Sequence, residues 1–225
     1  MDRLKLGQGD TQAGEIERCL EQALGLGHPR ACFRLLEVDG MGDDYVVIGG
    51  EKFYSRVLRI NLEKRHDPRV AVFVVTCGVE LERWAEAQED FFLRFCAEEI
   101  SELAMGQAFQ AMEKKIRETL GDRDKQDKKF SIMEPGSLED WPLTEQRPLF
   151  KVAGDVFGVI GVELTPSMLM RPRKSTSGIR YSSPEGFTSC RLCSRPGCPG
   201  RSEPYDRHLY ESTYVAGGGP LRDSS

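Results

Sequence analysis

The run Val70–Thr76, reading VAVFVVT, constrains this chain more than any other stretch. It carries no charge, and nearly all of it is β-branched, aromatic or small and apolar. It is the most strongly β-like run of the chain and reads as a central strand. The pattern then changes abruptly. From Val79 to Leu120, the apolar positions Leu81, Trp84, Phe91, Phe95, Ile100, Leu103, Phe109, Met112, Ile116 and Leu120 recur at roughly helical spacing. Gly106 is the expected place for this long segment to bend or split.

Shorter elements surround these two. Ile16, Cys19, Leu20, Ala23 and Leu24 predict a helix over 12–25, stopped by Gly25 and Gly27 with Pro29 behind them. Alternation at Ala31, Phe33 and Leu35 predicts a half-buried strand over 31–38, followed by a turn at 39–44 and a second strand at Tyr45–Ile48. Gly49 and Gly50 lead into Lys52 and Phe53, and Val57–Leu62 reads as another extended piece. The charged run from Gly121 to Lys129 reads as a solvated connection. Pro142 and Pro148 stand where helices can begin, Gly154 is a stop for 148–153, and 178–182 reads as a strand. Strands, then long helices, then mixed elements, without regular βαβ alternation, indicate an α+β fold.

At 225 residues the chain suits one domain with a short appendage. A net charge of −5 argues against a nucleic-acid partner. No apolar run is long enough to span a bilayer, and Met1–Lys5 leads into a mixed polar stretch unlike a secretory leader. The expectation is a soluble, cytoplasmic protein with no membrane association.

Seven cysteines are distributed unevenly. Cys19, Cys32, Cys77 and Cys96 are scattered, and the first, second and fourth read as small core residues. Cys190, Cys193 and Cys198 form a C-x₂-C-x₄-C run in a segment rich in Gly, Pro, Ser and Arg. Thiols so placed can hold one metal centre, and Arg191, Arg195 and Arg201 would favour the thiolate form. A fourth ligand is usual. Cys77, expected exposed at the end of the central strand, is the first candidate and His208 the second. Four cysteines would suit a [4Fe–4S] cluster or zinc, and three cysteines with a histidine would lean to zinc. Neither His28 nor His66 has ligand-spaced neighbours. Trp84 reads as core, and Trp141 as either core or a lid over a ligand.

One longer segment carries a resemblance. Leu164-Thr165-Pro166-Ser167 is followed by Met170-Arg171-Pro172 and then Ser175-Thr176-Ser177-Gly178. With Pro135-Gly136 and Asp140-Trp141-Pro142 upstream, this pattern over about 130–184 resembles the activation domain of cobalamin-dependent methionine synthase. The C-terminal cysteine motif is similar to that of smaller stand-alone relatives associated with corrinoid methyl transfer. The resemblance implies a C-shaped α+β domain with a twisted antiparallel sheet and long helices over 1–184, followed by a cysteine-rich metal- or cluster-binding tail over 185–225. It also implies binding of S-adenosylmethionine by Pro135, Gly136, Ser175, Ser177, Gly178, Arg180 and Tyr181. The metal set would be Cys77, Cys190, Cys193 and Cys198.

The sequence departs from the family at two positions. Ile132 stands where the family has the arginine that grips the ligand carboxylate, and Arg180 stands where it has a tyrosine. Arg180 could restore the lost charge or mark a change of ligand. The implied partner is a corrinoid-binding protein or a corrinoid methyltransferase, with cobalamin carried on that partner. The implied role is reactivation or reduction of the corrinoid; the alternative is a non-catalytic docking module with structural zinc. A methyltransferase acting on a small thiol is a weaker third reading, because nothing resembles a separate catalytic domain.

Overall fold

A computed structural model describes residues 13–65, 67–121, 129–184, 186–198 and 200–215. The N-terminal dozen residues, His66, most of the charged run after Gly121 and the tail from 216 lie outside the described residues. Six strands form one antiparallel sheet: β1 (Arg30–Met41), β2 (Tyr45–Ile48), β3 (Glu51–Tyr54), β4 (Arg69–Thr76), β5 (Lys129–Met133) and β8 (Ser175–Ser183). Their order is β3-β2-β1-β4-β8-β5, and β6 (Glu163–Leu164) and β7 (Met170–Arg171) make a separate small pair.

β4 is interior, as its composition demands, and each of its faces enters a different core. Val70, Val72 and Val74 join the main core beneath α2 (Arg56–Glu63), α5 (Gln146–Ala153) and α6 (Val156–Ile160). Ala71, Phe73 and Val75 meet Met112, Ile116 and Leu120 of the long helix α4 (Phe91–Gly121). Each of the larger side chains contributes about 1.5–3 kcal/mol by leaving water. A third cluster joins α1 (Ala13–Leu26), α3 (Val79–Glu86) and α4 through Cys19, Ala23, Leu81 and Ile100.

Several local expectations are corrected. Val57–Leu62 lies within α2 and is not extended, because Ser55 accepts from the Leu58 N–H and starts a helix there. The long helical segment breaks at residues 87–90, where the Asp90 carboxylate receives the Leu93 N–H, and Gly106 lies inside an unbroken α4. β1 continues through Asp39 to Met41, with its pairing to β2 shifting between Val38 and Gly40. Trp141 is fully buried and so is core, not a lid.

The chain beyond Pro184 is tied into the domain. Phe187, Leu192 and Tyr214 are buried in the main core, and the Tyr214 hydroxyl donates to Asp140 at 3.2 Å. The other Asp140 oxygen accepts from the Ser55 hydroxyl and the Val57 N–H. One carboxylate therefore joins the start of α2 to the C-terminal segment. Among the described residues, no helix is long and apolar enough to cross a membrane.

Candidate functional site

The strand period decides which candidate residues can meet. In β8, Ile179 and Tyr181 enter the main core, and Ser175 and Ser177 share their alternation. Gly178 and Arg180 fall on the opposite face, toward α4. Arg180 is paired across the sheet with Ile132 of β5. Its guanidinium forms an ion pair with Glu113 of α4 and lies 5.8 Å from the centre of the Phe109 ring. Glu113 also holds Arg117 at 2.6 Å, one helical turn along.

Arg180 is 6% exposed. Burial pushes its pKa below the ordinary value, against the pull of Glu113. Its Nε–H is buried without a hydrogen-bond partner among the described residues. The residue borders a cavity of about 540 Å³ whose wall includes Phe109, Arg117, Lys129, Ile132, Ser202 and Glu203. Glu134, at the end of β5, accepts from the Thr176 hydroxyl at 2.9 Å. Burial raises its carboxyl above the usual range, while Thr176 and Arg180 oppose that rise.

The other expected ligand residues are placed elsewhere. Gly136 has φ 83°, a conformation that glycine adopts freely, and its N–H donates to the Trp141 carbonyl at 2.7 Å. Pro135 beside it is buried. The Ser175 hydroxyl donates to the Pro172 carbonyl at 2.6 Å and lies 2.9 Å from the Thr76 hydroxyl. Ser177 is buried, and its hydroxyl has no partner among the described residues. Tyr181 is fully buried, and burial pushes its phenol well above the ordinary value, with Ser131 opposing. A Cβ on Gly178 would lie 2.5 Å from the Met133 carbonyl oxygen, so this glycine lets β5 approach. Arg180 is thus the member of the expected set that borders the cavity. Arg117 and Lys129 on the cavity wall, and Glu113 as the partner of Arg180, were not expected. The i, i+4 spacing of Glu113 and Arg117 was visible as an ion pair, but not the strand it faces.

The cysteines fall into two regions. Cys190 lies in a 3-10 turn, Ser189–Arg191, whose first residues are capped by the Thr188 hydroxyl. Arg201 draws the loop together by donating to the carbonyls of Cys190, Cys193, Arg195 and Glu203. The Cys190 Sγ lies 3.5 Å from both the N–H and the hydroxyl of Ser202. Burial pushes the Cys190 thiol up, but these contacts, with Thr188 and Glu203, outweigh it and hold its pKa below the ordinary 9.0. The arginines act differently from the expectation: Arg201 holds backbone carbonyls, and Arg191 pairs with Asp206 at 3.2 Å.

Cys77 is buried, contrary to the expectation of an exposed strand end. Burial, with Glu82 adding to it, pushes its thiol up to about 12. β4, which ends beside Cys77, is separated by β8 and β5 from the bridge between Ile132 and Thr188 that leads into the cysteine loop. Three strand spacings amount to roughly 14 Å, whereas two thiolates on one zinc sit about 4 Å apart. His208 is exposed on α7 (Arg207–Tyr210). Among the described residues, no group of three or more His, Cys, Asp or Glu side chains is gathered as ligands of one ion.

No family model matches the chain, and no curated protein sequence matches it significantly. Among solved structures, it is similar to the MetH reactivation domain bound to AdoHcy. The TM-score is 0.57 at 18% identity, over 80% of this chain and 69% of that one. The chain shares that fold. The shared architecture is a mixed one, with helices on an antiparallel sheet, as the sequence resemblance implied.

Proposed function

We propose that this protein is an accessory factor of a corrinoid methyl-transfer system. It would dock on a corrinoid protein and bind S-adenosylmethionine in the Arg180 cavity while the corrinoid is restored to its active state. The observation that carries this reading is the pairing of Ile132 with Arg180. Residues opposed in an antiparallel ladder have Cα atoms about 4.5–5.5 Å apart and side chains on the same face. A charge absent at Ile132 is therefore replaced one strand away, facing the same space. The fold shared with an AdoHcy-bound domain supports the same reading.

The cavity suits such a ligand chemically. The unpartnered Arg180 Nε–H can donate to a carboxylate, Glu113 holds the guanidinium in place, and Arg117 and Lys129 add positive charge. Phe109 and Phe130 offer apolar wall to an adenine ring. Glu203 is the carboxylate that the described lining offers to the ligand ammonium or sulfonium.

The cysteine loop supports a second element of the proposal. Cys190, Cys193 and Cys198 are proposed as ligands of an iron–sulfur cluster or zinc, on their spacing and on the Ser202 groups at the Cys190 Sγ. Cys77 does not fit that set, given its burial and separation. If the centre is a cluster, it could deliver an electron to the corrinoid; if it is zinc, the loop is structural and the chain is a docking module.

The test uses a corrinoid protein in its cob(II)alamin state, S-adenosylmethionine and a low-potential donor, followed by the cobalt spectrum. Faster formation of methylcob(III)alamin with this protein than without it supports the proposal. No acceleration and no association with the corrinoid protein would refute it.

A further inference from the structure

A second cavity, of about 620 Å³, lies on the other side of the Gly186–Phe187 segment from the Arg180 cavity; both residues border both spaces. Its floor is the outer stripe of α2, where Arg56, Ile60 and Lys64 recur every fourth residue. Its apolar lining includes Phe187, Leu192 and Leu209. No Asp or Glu borders it among the described residues, although the whole chain carries a net charge of −5. Arg191 at its edge is engaged by Asp206. Arg56 and Lys64, by contrast, have no carboxylate partner among the described residues.

Two cations without a carboxylate partner among the described residues, beside a hollow of ligand size that is part apolar and part hydroxyl- and amide-lined, form a coherent arrangement. The α2 stripe places Arg56 and Lys64 about 12 Å apart along the helix axis, at 1.5 Å per residue. Their long side chains can bend toward one anion above Ile60. An arginine fork and a lysine point charge together match a phosphate group. Phe187, Leu192 and Leu209 would receive a flat apolar body joined to it.

We propose that this cavity is a binding site for a phosphate monoester carried on a flat apolar body of nucleotide size. The site is separate from the adenosyl-ligand cavity and does not rest on that reading. Calorimetry with naphthyl phosphate at constant ionic strength tests it on the full chain. Saturable binding is expected, weakened at least tenfold in the Arg56→Gln/Lys64→Gln double variant and unchanged in Arg180→Gln. Naphthol and inorganic phosphate, each lacking half of the recognised chemistry, should bind wild type at least tenfold more weakly than the ester. Ile60→Trp fills the hollow without removing charge and should also weaken binding. Absence of saturable binding, equal binding by the double variant, equal binding of naphthol, or loss of binding on Arg180→Gln would each overturn the proposal. Failure of S-adenosylmethionine to bind would leave it standing.

Discussion

Ile132 and Arg180 stand opposite each other across the β5–β8 pair, and Arg180 is held there by Glu113 from α4. On the proposed reading, Arg180 supplies from β8 the positive charge that Ile132 cannot supply from β5. Arg180 is buried and ion-paired, and its Nε–H has no hydrogen-bond partner among the described residues. That donor costs free energy unless a ligand or solvent meets it.

Glu113→Gln should weaken ligand binding without abolishing it. The variant keeps the shape of the side chain but releases the guanidinium to swing toward Glu134. Affinity for S-adenosylmethionine should fall several-fold, while Arg180→Gln should lose about 1.5–3 kcal/mol of binding, the value of a hydrogen bond to a charged group. Equal losses in the two variants would contradict a positioning role for Glu113.

Gly178→Ala should destabilise the fold. The added Cβ would lie 2.5 Å from the Met133 carbonyl oxygen and 3.0 Å from the Phe73 ring. Backbone oxygen cannot yield as a flexible side chain can, so β5 must shift. A cost of about 1–3 kcal/mol is expected, read as a lowered urea midpoint at unchanged slope.

Asp140→Ala removes the acceptor shared by Ser55, Val57 and Tyr214. The loss of an α2 contact and of the C-terminal latch should cost roughly 2–4 kcal/mol, from charge-assisted bonds left unmade. Limited proteolysis should then cut first within the segment after Pro184. Tyr214→Phe should reproduce the proteolysis but little of the global loss. Cleavage at unchanged positions would show that the latch does not hold that segment.

Cys190 should alkylate fastest among the cysteines near neutral pH, with Cys32 slower because burial pushes its thiol up. Ser202→Ala should shift the Cys190 rate profile to higher pH. The folded pKa of Cys190 is depressed, so its contribution to stability is present above the unfolded value and lost as pH falls through the folded value. Mass spectrometry of alkylated peptides across pH checks the order. A Cys190 profile indistinguishable from that of Cys32 would contradict it.

Metal content separates the cysteines. After anaerobic reconstitution, Cys77→Ser should retain metal, and the Cys190→Ser/Cys193→Ser/Cys198→Ser variant should not. Visible absorption distinguishes an iron–sulfur cluster from zinc. Loss of metal on Cys77→Ser would mean that the β4 end and the cysteine loop come together.

Parts of this structure were legible from local pattern. VAVFVVT reads as an interior strand because its composition allows little else, and α1 announces itself through Ile16, Cys19 and Ala23. α2 was misread because Val57, Leu58, Ile60 and Leu62 look strand-like, while the deciding contacts include Asp140, 83 positions away. The face taken by each β8 residue was implicit in the sequence: odd and even positions of one strand face opposite ways, so Ser175 and Ser177 do not share a face with Arg180. Glu113 could not be assigned to Arg180 from sequence, because the pairing depends on where α4 crosses the sheet. Cys77 read as exposed because the helices that cover it, through Cys19, Ala23, Leu81 and Ile100, are not written in β4 itself.

The central claim is that Arg180 supplies from β8 the carboxylate contact that Ile132 cannot supply from β5. Titration of S-adenosylmethionine into wild type, Arg180→Gln and Ile132→Arg/Arg180→Gln tests it most directly. The account predicts saturable binding by wild type, a loss of about tenfold or more in the single variant, as expected for a charged hydrogen bond, and substantial recovery when the arginine is returned across the strand pair. No binding by wild type, or equal binding by wild type and Arg180→Gln, would contradict it.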